Sequence, residues 1–211
     1  RGLPAPRRLA VRLAALLHDA DDGKYFPGGP EAGYANARRI ASEAGAPAGV
    51  VDEMVYMIGL VSTSSNGNSV PPRARAEPEL LWPRWADRLE AVGDRGVVRC
   101  WQYGNEVNRP LFDASTPRPS SEREVWAAAA PGRLEAYRAK ALVSQTSLDH
   151  FYNVLLSVAR PPAWALRNPY LEAAFSSGAA PLLRVCLELG ATGGVDEERI
   201  RAMAVRLDRE S

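Results

Sequence analysis

The chain has two histidines, His18 and His150, and the first stands in a run that is rich in chemistry. Asp19 follows it directly, and Asp21, Asp22 and Lys24 come next. An imidazole, three carboxylates and an ammonium therefore share one helix-to-loop junction. Neutral imidazole with carboxylate makes a hard-to-borderline ligand set, suited to Mn, Fe, Ni, Co, Zn or Mg. Adjacent residues on a helix point about 100° apart. His18 and Asp19 can share a metal only near the helix end, and a further ligand must come from another element. Asp22 returns to the face of His18 if the turn continues. The competing reading is a solvated acidic helix end, with Lys24 paired to Asp21 or Asp22.

A second acidic element runs from residue 84 to 104. Asp87, Glu90 and Asp94 sit at i, i+3 and i+7, so they share one helical face. Arg88 and Arg95 are the natural partners of a merely solvated stripe. The segment STSSNGN, residues 62–68, supplies hydroxyl and amide groups suited to a polar ligand, or else is a plain surface loop.

These residues need helices to position them. Arg7 to Leu17 carries Leu9, Leu13, Leu16 and Leu17 on one stripe, with Arg8 and Arg12 off it, which predicts a helix buried on that leucine face. A Gly- and Pro-rich loop follows. Helices are predicted over Glu31–Ala44, Ala48–Val61, Glu79–Val92 and Asp94–Tyr103, with a loop from Ser62 to Pro78. Beyond the loop Gly104–Ser120, Ser121-x-x-Glu124 reads as a capping box. Pro131-Gly132 breaks that helix. Ser147 is expected to cap the next helix, which Pro161-Pro162 ends. A helix over Asn168–Leu189 closed by Gly190, and a last one capped by Asp196, complete the chain. No alternating run long enough for a strand occurs, and no repeat of fixed period. The expected fold is all-α, a single domain over 1–211 with a core of about 1–160 and C-terminal helices over about 161–211.

Composition narrows the function classes. The 211 residues hold 26 basic and 25 acidic side chains, and the arginines are spread along the chain, so no basic stripe for a nucleic-acid polymer is expected. No apolar run reaches the ~18–20 residues that span a bilayer. Cys100 and Cys186 lie on apolar stretches without a C-x-x-C pair, the pattern of buried free thiols in a reducing compartment. A cytoplasmic protein without membrane contact is the expectation.

Three segments together resemble one family. LAALLHDADDGKYF, residues 13–26, resembles the signature segment of the HD-domain superfamily of metal-dependent phosphohydrolases, in the branch with HD-x-x-D-x-K-aromatic. ADRLEAVGDRGVVRCWQYG, residues 86–104, resembles that branch's second motif. SLDHFYNVLL, residues 147–156, resembles its later His-Phe-Tyr motif. The resemblance implies an HD-type helical bundle with a C-terminal helical extension and a divalent metal held by His18, Asp19 and Asp87. It implies hydrolysis of a small phosphoester, such as a nucleotide. In that chemistry a bound cation polarises a phosphoryl oxygen and acidifies a water. Asp19 or Asp22 is then expected to orient or deprotonate the water, and Lys24 and Arg88 to hold phosphate oxygens. His150 matches a residue outside the metal set. The family also places a metal-binding His well before the HD pair. No His precedes His18 here, so that ligand is expected either to lie upstream of Arg1 or to be lacking from the protein. The alternative is a degenerate HD domain that binds a ligand or partner without turnover. An HD-type oxygenase or lyase, which needs extra histidines, is disfavoured because position 22 is Asp.

Overall fold

A computed structural model describes residues 2–23, 26 and 28–210. The described residues contain helices and no strand, so the fold is all-α. No helix among them is long and apolar enough to cross a membrane. The helices are α1 (Ala5–Leu17), α2 (Ala35–Glu43), α3 (Ala48–Val61), α4 (Thr63–Asn66), α5 (Pro72–Ala76), α6 (Trp82–Arg88), α7 (Gly93–Glu106), α8 (Glu122–Ala128) and α9 (Pro131–Arg138). After these come α10 (Ser147–His150), α11 (Leu156–Val158), α12 (Ala163–Leu166), α13 (Pro169–Gly178), α14 (Ala180–Thr192) and α15 (Glu197–Glu210). The chain divides into two compact units, residues 1–87 with 163–167, and residues 88–162 with 168–211.

In the first unit α3 is the central helix, with Met54, Met57, Ile58, Leu60 and Val61 buried. α1 packs on it and so does α2. The face that α1 buries is not its leucine stripe. Ala10 and Ala14 are fully buried, while Leu9 is 40% and Leu16 is 78% exposed. Small side chains let two helix backbones approach closely, and here that close approach decides which face turns inward. Arg7 fastens the outer end of α1, with ion pairs to Glu53, Glu77 and Glu79 at 2.7–2.9 Å. The fully buried Trp85 donates its indole N–H to the Ala165 carbonyl at 3.1 Å, and Trp82 donates to that of Leu166 at 2.8 Å. α12 is thereby pinned to α6.

In the second unit α14 and α15 pack on α7. Its centre is one π-helical turn, Phe151–Leu155, buried throughout. Within this turn Asn153 accepts from Arg133 at 2.8 Å and donates to Ser144 at 3.1 Å.

Several expected boundaries differ. The helix anticipated over Glu31–Ala44 is a short 3₁₀ turn, Gly29–Ala32, followed by α2. The break is at Gly33 and Tyr34, both at positive φ. The expected loop from Ser62 to Pro78 contains α4 and α5, the first capped by the Ser62 hydroxyl. Glu79–Val92 is broken into 3₁₀, α and 3₁₀ turns, and the extended Val92 ends it. Ser121 accepts the Glu124 amide, but the Glu124 carboxylate takes the Ser120 amide rather than that of Ser121. Thr146, not Ser147, caps α10, because its hydroxyl and the Asp149 carboxylate exchange bonds reciprocally. Asn168–Leu189 is two helices, α13 and α14, and the second ends at Gly193 with φ +77. Gly190 serves instead as a contact point, since a Cβ there would lie 1.9 Å from the Pro119 carbonyl oxygen.

The packing of α1 is directly testable. Ala14→Leu should destabilise the protein by about 1–3 kcal/mol through overpacking, whereas Leu16→Ser should change stability by less than about 0.5 kcal/mol. Urea unfolding midpoints with the opposite ranking would show that the leucine stripe is the buried face after all.

Candidate active site

α1 carries the chain to His18, which continues its helical backbone as the C-cap. The His18 Nδ1 lies 2.9 Å from the Ala15 carbonyl oxygen. A carbonyl only accepts, so Nδ1 carries the proton. The other ring nitrogen, Nε2, is left facing two carboxylates, 3.3 Å from Asp19 Oδ2 and 3.4 Å from Asp87 Oδ1. Asp19 comes from the turn after α1, and Asp87 from α6.

The position of Asp87 is set one turn earlier, by Arg84. This side chain is fully buried and donates from Nε to the Leu60 carbonyl at 2.6 Å and from Nη1 to that of Ser69 at 2.8 Å. The two carbonyls flank residues 61–68, so one guanidinium ties α6 to both ends of that segment. Burial lowers its pKa to about 10, and it remains a cation at neutral pH.

His18, Asp19, Asp22 and Asp87 open onto a cavity of about 400 Å³. Tyr34, Gly59, Ser62, Ser64 and Ser65 form other parts of its wall. The lining comes entirely from the first unit. Asp21 also reaches it, but this carboxylate is buried and accepts the amides of Asn36 at 3.0 Å and Ala37 at 2.9 Å. It caps α2 from a distance. Lys24 lies outside the described residues. Arg88 belongs to the second unit and is 1% exposed. His150 lies in the second unit too, edge-on to Tyr137 and 3.4 Å from the Ser144 hydroxyl. Burial, helped by the charge of Arg109, lowers its pKa to about 4, so it is neutral at physiological pH.

Tyr34 is the cavity residue that the sequence pattern hid, because it fell inside a predicted helix. The available signal was Gly59, an isolated glycine in an apolar helix, which marks a packing or functional requirement.

Two anionic oxygens against one imidazole nitrogen require a positive charge between them. In the metal-free chain a proton supplies it. The hydrogen bond to Asp87 is the largest influence raising the His18 pKa, opposed by burial and aided by the Ala15 carbonyl and the Asp19 charge, to about 9. A metal cation would serve equally. Ligand bonds of about 2.0–2.2 Å hold neighbouring donor atoms roughly 3–3.5 Å apart, and the two separations observed fit that range. A metal-ligating His characteristically donates its other N–H to a carbonyl or carboxylate, as His18 does. The set is open as it stands: among the described residues no group of three or more His, Cys, Asp or Glu side chains is arranged to hold a metal ion.

Comparison with known proteins adds one relative. Uncharacterized protein L803 of Acanthamoeba polyphaga mimivirus is 33% identical over 177 residues, covering 78% of this chain and 70% of the viral protein. The chain belongs to the family of L803. No family model matches it, and no solved structure gives a significant match. The L803 relationship extends over most of both chains, so it concerns the fold as a whole and not an isolated motif.

The charge on His18 gives a pH signature. Its folded pKa of about 9 lies above the ordinary 6.5, so the folded state holds this proton more tightly than the unfolded one. The resulting stability is fully present below pH 6.5 and is lost as pH rises through about 9. With a chelator present, the urea midpoint of the wild type should fall over that interval, and that of His18→Gln should fall less. Parallel profiles for the two proteins would contradict the ion triad.

Proposed function

We propose that this protein is a metal-dependent phosphohydrolase of the HD type, acting on a small phosphoester such as a nucleotide, at the cavity of the first unit. The observation that carries the reading is the orientation of His18. Its Nδ1–H is committed to the Ala15 carbonyl, and Nε2 is aimed between carboxylates from two different elements. His18, Asp19 and Asp87 would hold the cation. The motif resemblance points to the same three residues.

When bound, a divalent cation at this point supplies Lewis-acid polarisation of a phosphoryl oxygen and a more acidic water. The chain's own residues do the rest. The Asp19 side chain is 77% exposed, so its second oxygen is open to orient a water or take its proton. Asp22 lines the same cavity and can share that task. The Arg84 clamp holds Asp87 and the serine wall in one frame. Lys24 remains the proposed phosphate contact, as a point charge, and Arg88, buried in the second unit, is not one.

A second reading has its own support. The same triad is a self-sufficient ion cluster once His18 is protonated, and it then needs no metal. On that reading the protein is a degenerate HD domain that binds a ligand or partner without turnover.

One variant separates the two. In the full-length protein loaded with Mn²⁺, Asp87→Ala should abolish metal retention and hydrolysis across a panel of phosphate esters, with helical circular dichroism preserved. Alanine is the best helix former, so local propensity is not lost. Full metal content and turnover in the variant would remove Asp87 from the site. A wild type that retains no metal and cleaves no ester would favour the non-catalytic module.

A further inference from the structure

Tyr34 lines the cavity and has no part in the ligand set described above. Its φ is +59, a left-handed conformation uncommon for any residue other than glycine. That backbone is held from outside. Asp21 takes the Asn36 and Ala37 amides and fixes the first turn of α2, whose N-cap is Tyr34. Opposite the ring is Gly59, in the interior of α3. A Cβ at that position would lie 3.4 Å from the Tyr34 hydroxyl, ordinary van der Waals contact, so the phenol oxygen packs directly beside the α3 backbone. A left-handed backbone thus bears on the position of one hydroxyl group.

The rest of the wall explains why that hydroxyl matters. Asp19, Asp21, Asp22 and Asp87 all reach the cavity. An anion entering this acidic surrounding gains from hydrogen-bond donors in addition to any cation. The serine hydroxyls are engaged with one another: Ser62 Oγ lies 3.0 Å from Ser64 Oγ, accepts from Ser65 Oγ at 3.2 Å, and accepts the Ser65 amide. Among the described residues the Tyr34 hydroxyl makes no hydrogen bond. Burial, and after it the Asp21 charge, raise the phenol pKa, which keeps it in the donating form.

We propose that Tyr34 is a substrate-binding residue whose O–H donates to an anionic oxygen of the phosphoester in the cavity. This assignment rests on the phosphohydrolase reading and adds to it a contact made by neither a metal ligand nor a basic side chain. A hydrogen bond to a charged group gives up about ten- to a hundredfold in binding when it is removed.

The test uses the full-length protein loaded with Mn²⁺, p-nitrophenyl phosphate as substrate and inorganic phosphate as competitive inhibitor. Tyr34→Phe keeps the ring and its packing. It should retain the Mn²⁺ content and helicity of the wild type. Its kcat/KM should fall about ten- to a hundredfold, and the phosphate inhibition constant should rise by a similar factor. A purely structural role would not move phosphate inhibition at constant metal content. Gly59→Val is the second variant. Its Cβ falls at ordinary contact distance from the phenol oxygen, and its γ-methyl groups reach beyond that into the place of the hydroxyl, so helicity and Mn²⁺ content should hold while phosphate inhibition weakens. Should Tyr34→Phe fail to fold, Gly59→Val decides: unchanged phosphate inhibition overturns the assignment. A wild type that turns over, with Tyr34→Phe equal to it, overturns the role of Tyr34 alone. A wild type with neither Mn²⁺ binding nor turnover overturns the phosphohydrolase reading and this assignment with it.

Discussion

The central constraint on this molecule is the charge on one side of a single imidazole. Asp19 and Asp87 approach His18 Nε2 at 3.3 and 3.4 Å, and the Ala15 carbonyl has already taken the proton on Nδ1. Without a positive charge at Nε2 the arrangement would set a lone pair against two carboxylates, and it would open. A proton or a metal cation closes it. Every other feature of the first unit can be understood as holding the three groups close enough for that choice to matter.

Part of the holding is done by a cation that has no carboxylate partner among the described residues. Arg84 is buried against two backbone carbonyls, without a carboxylate. Placing a guanidinium there costs solvation that hydrogen bonds to carbonyls offset only in part, and the downward shift of its pKa records that cost. In return one rigid planar fork binds both ends of a segment to α6. Lysine, a point charge on a flexible stem, has no fork with which to meet two carbonyls at once. The arrangement is therefore geometric before it is electrostatic: it sets the angle from which Asp87 meets His18.

The all-α class was legible because helical periodicity and Gly and Pro punctuation persist along the whole chain, and α3 was legible to its boundaries. The burial of α1 was not. Periodicity identifies an apolar stripe, yet two alanines allow close approach where leucines do not, and hydrophobicity alone ranks leucine first. The site was legible in its residue types at His18, Asp19 and Asp22, while Asp87 entered by motif resemblance. Asp21 was indistinguishable from its acidic neighbours, because its role depends on amides fifteen or more residues away in α2. Tyr34 was hidden for a related reason. A left-handed residue between two helical turns reads in sequence as part of one continuous helix.

Asp21 also shows why an acidic run need not be one functional unit. Four carboxylates at one cavity repel each other, and the repulsion grows as water is excluded. The chain relieves it by dividing the labour. Asp21 gives both oxygens to the amides of a helix N-terminus, where a carboxylate interacts favourably with the helix dipole. Asp87 gives an oxygen to His18. Asp19 stays largely in water, where its charge costs least. What remains is a cavity with the Asp19 and Asp22 carboxylates beside a fixed nitrogen and a hydroxyl wall. That is an asymmetric site, with carboxylates and an imidazole on one side and hydroxyl groups on the other.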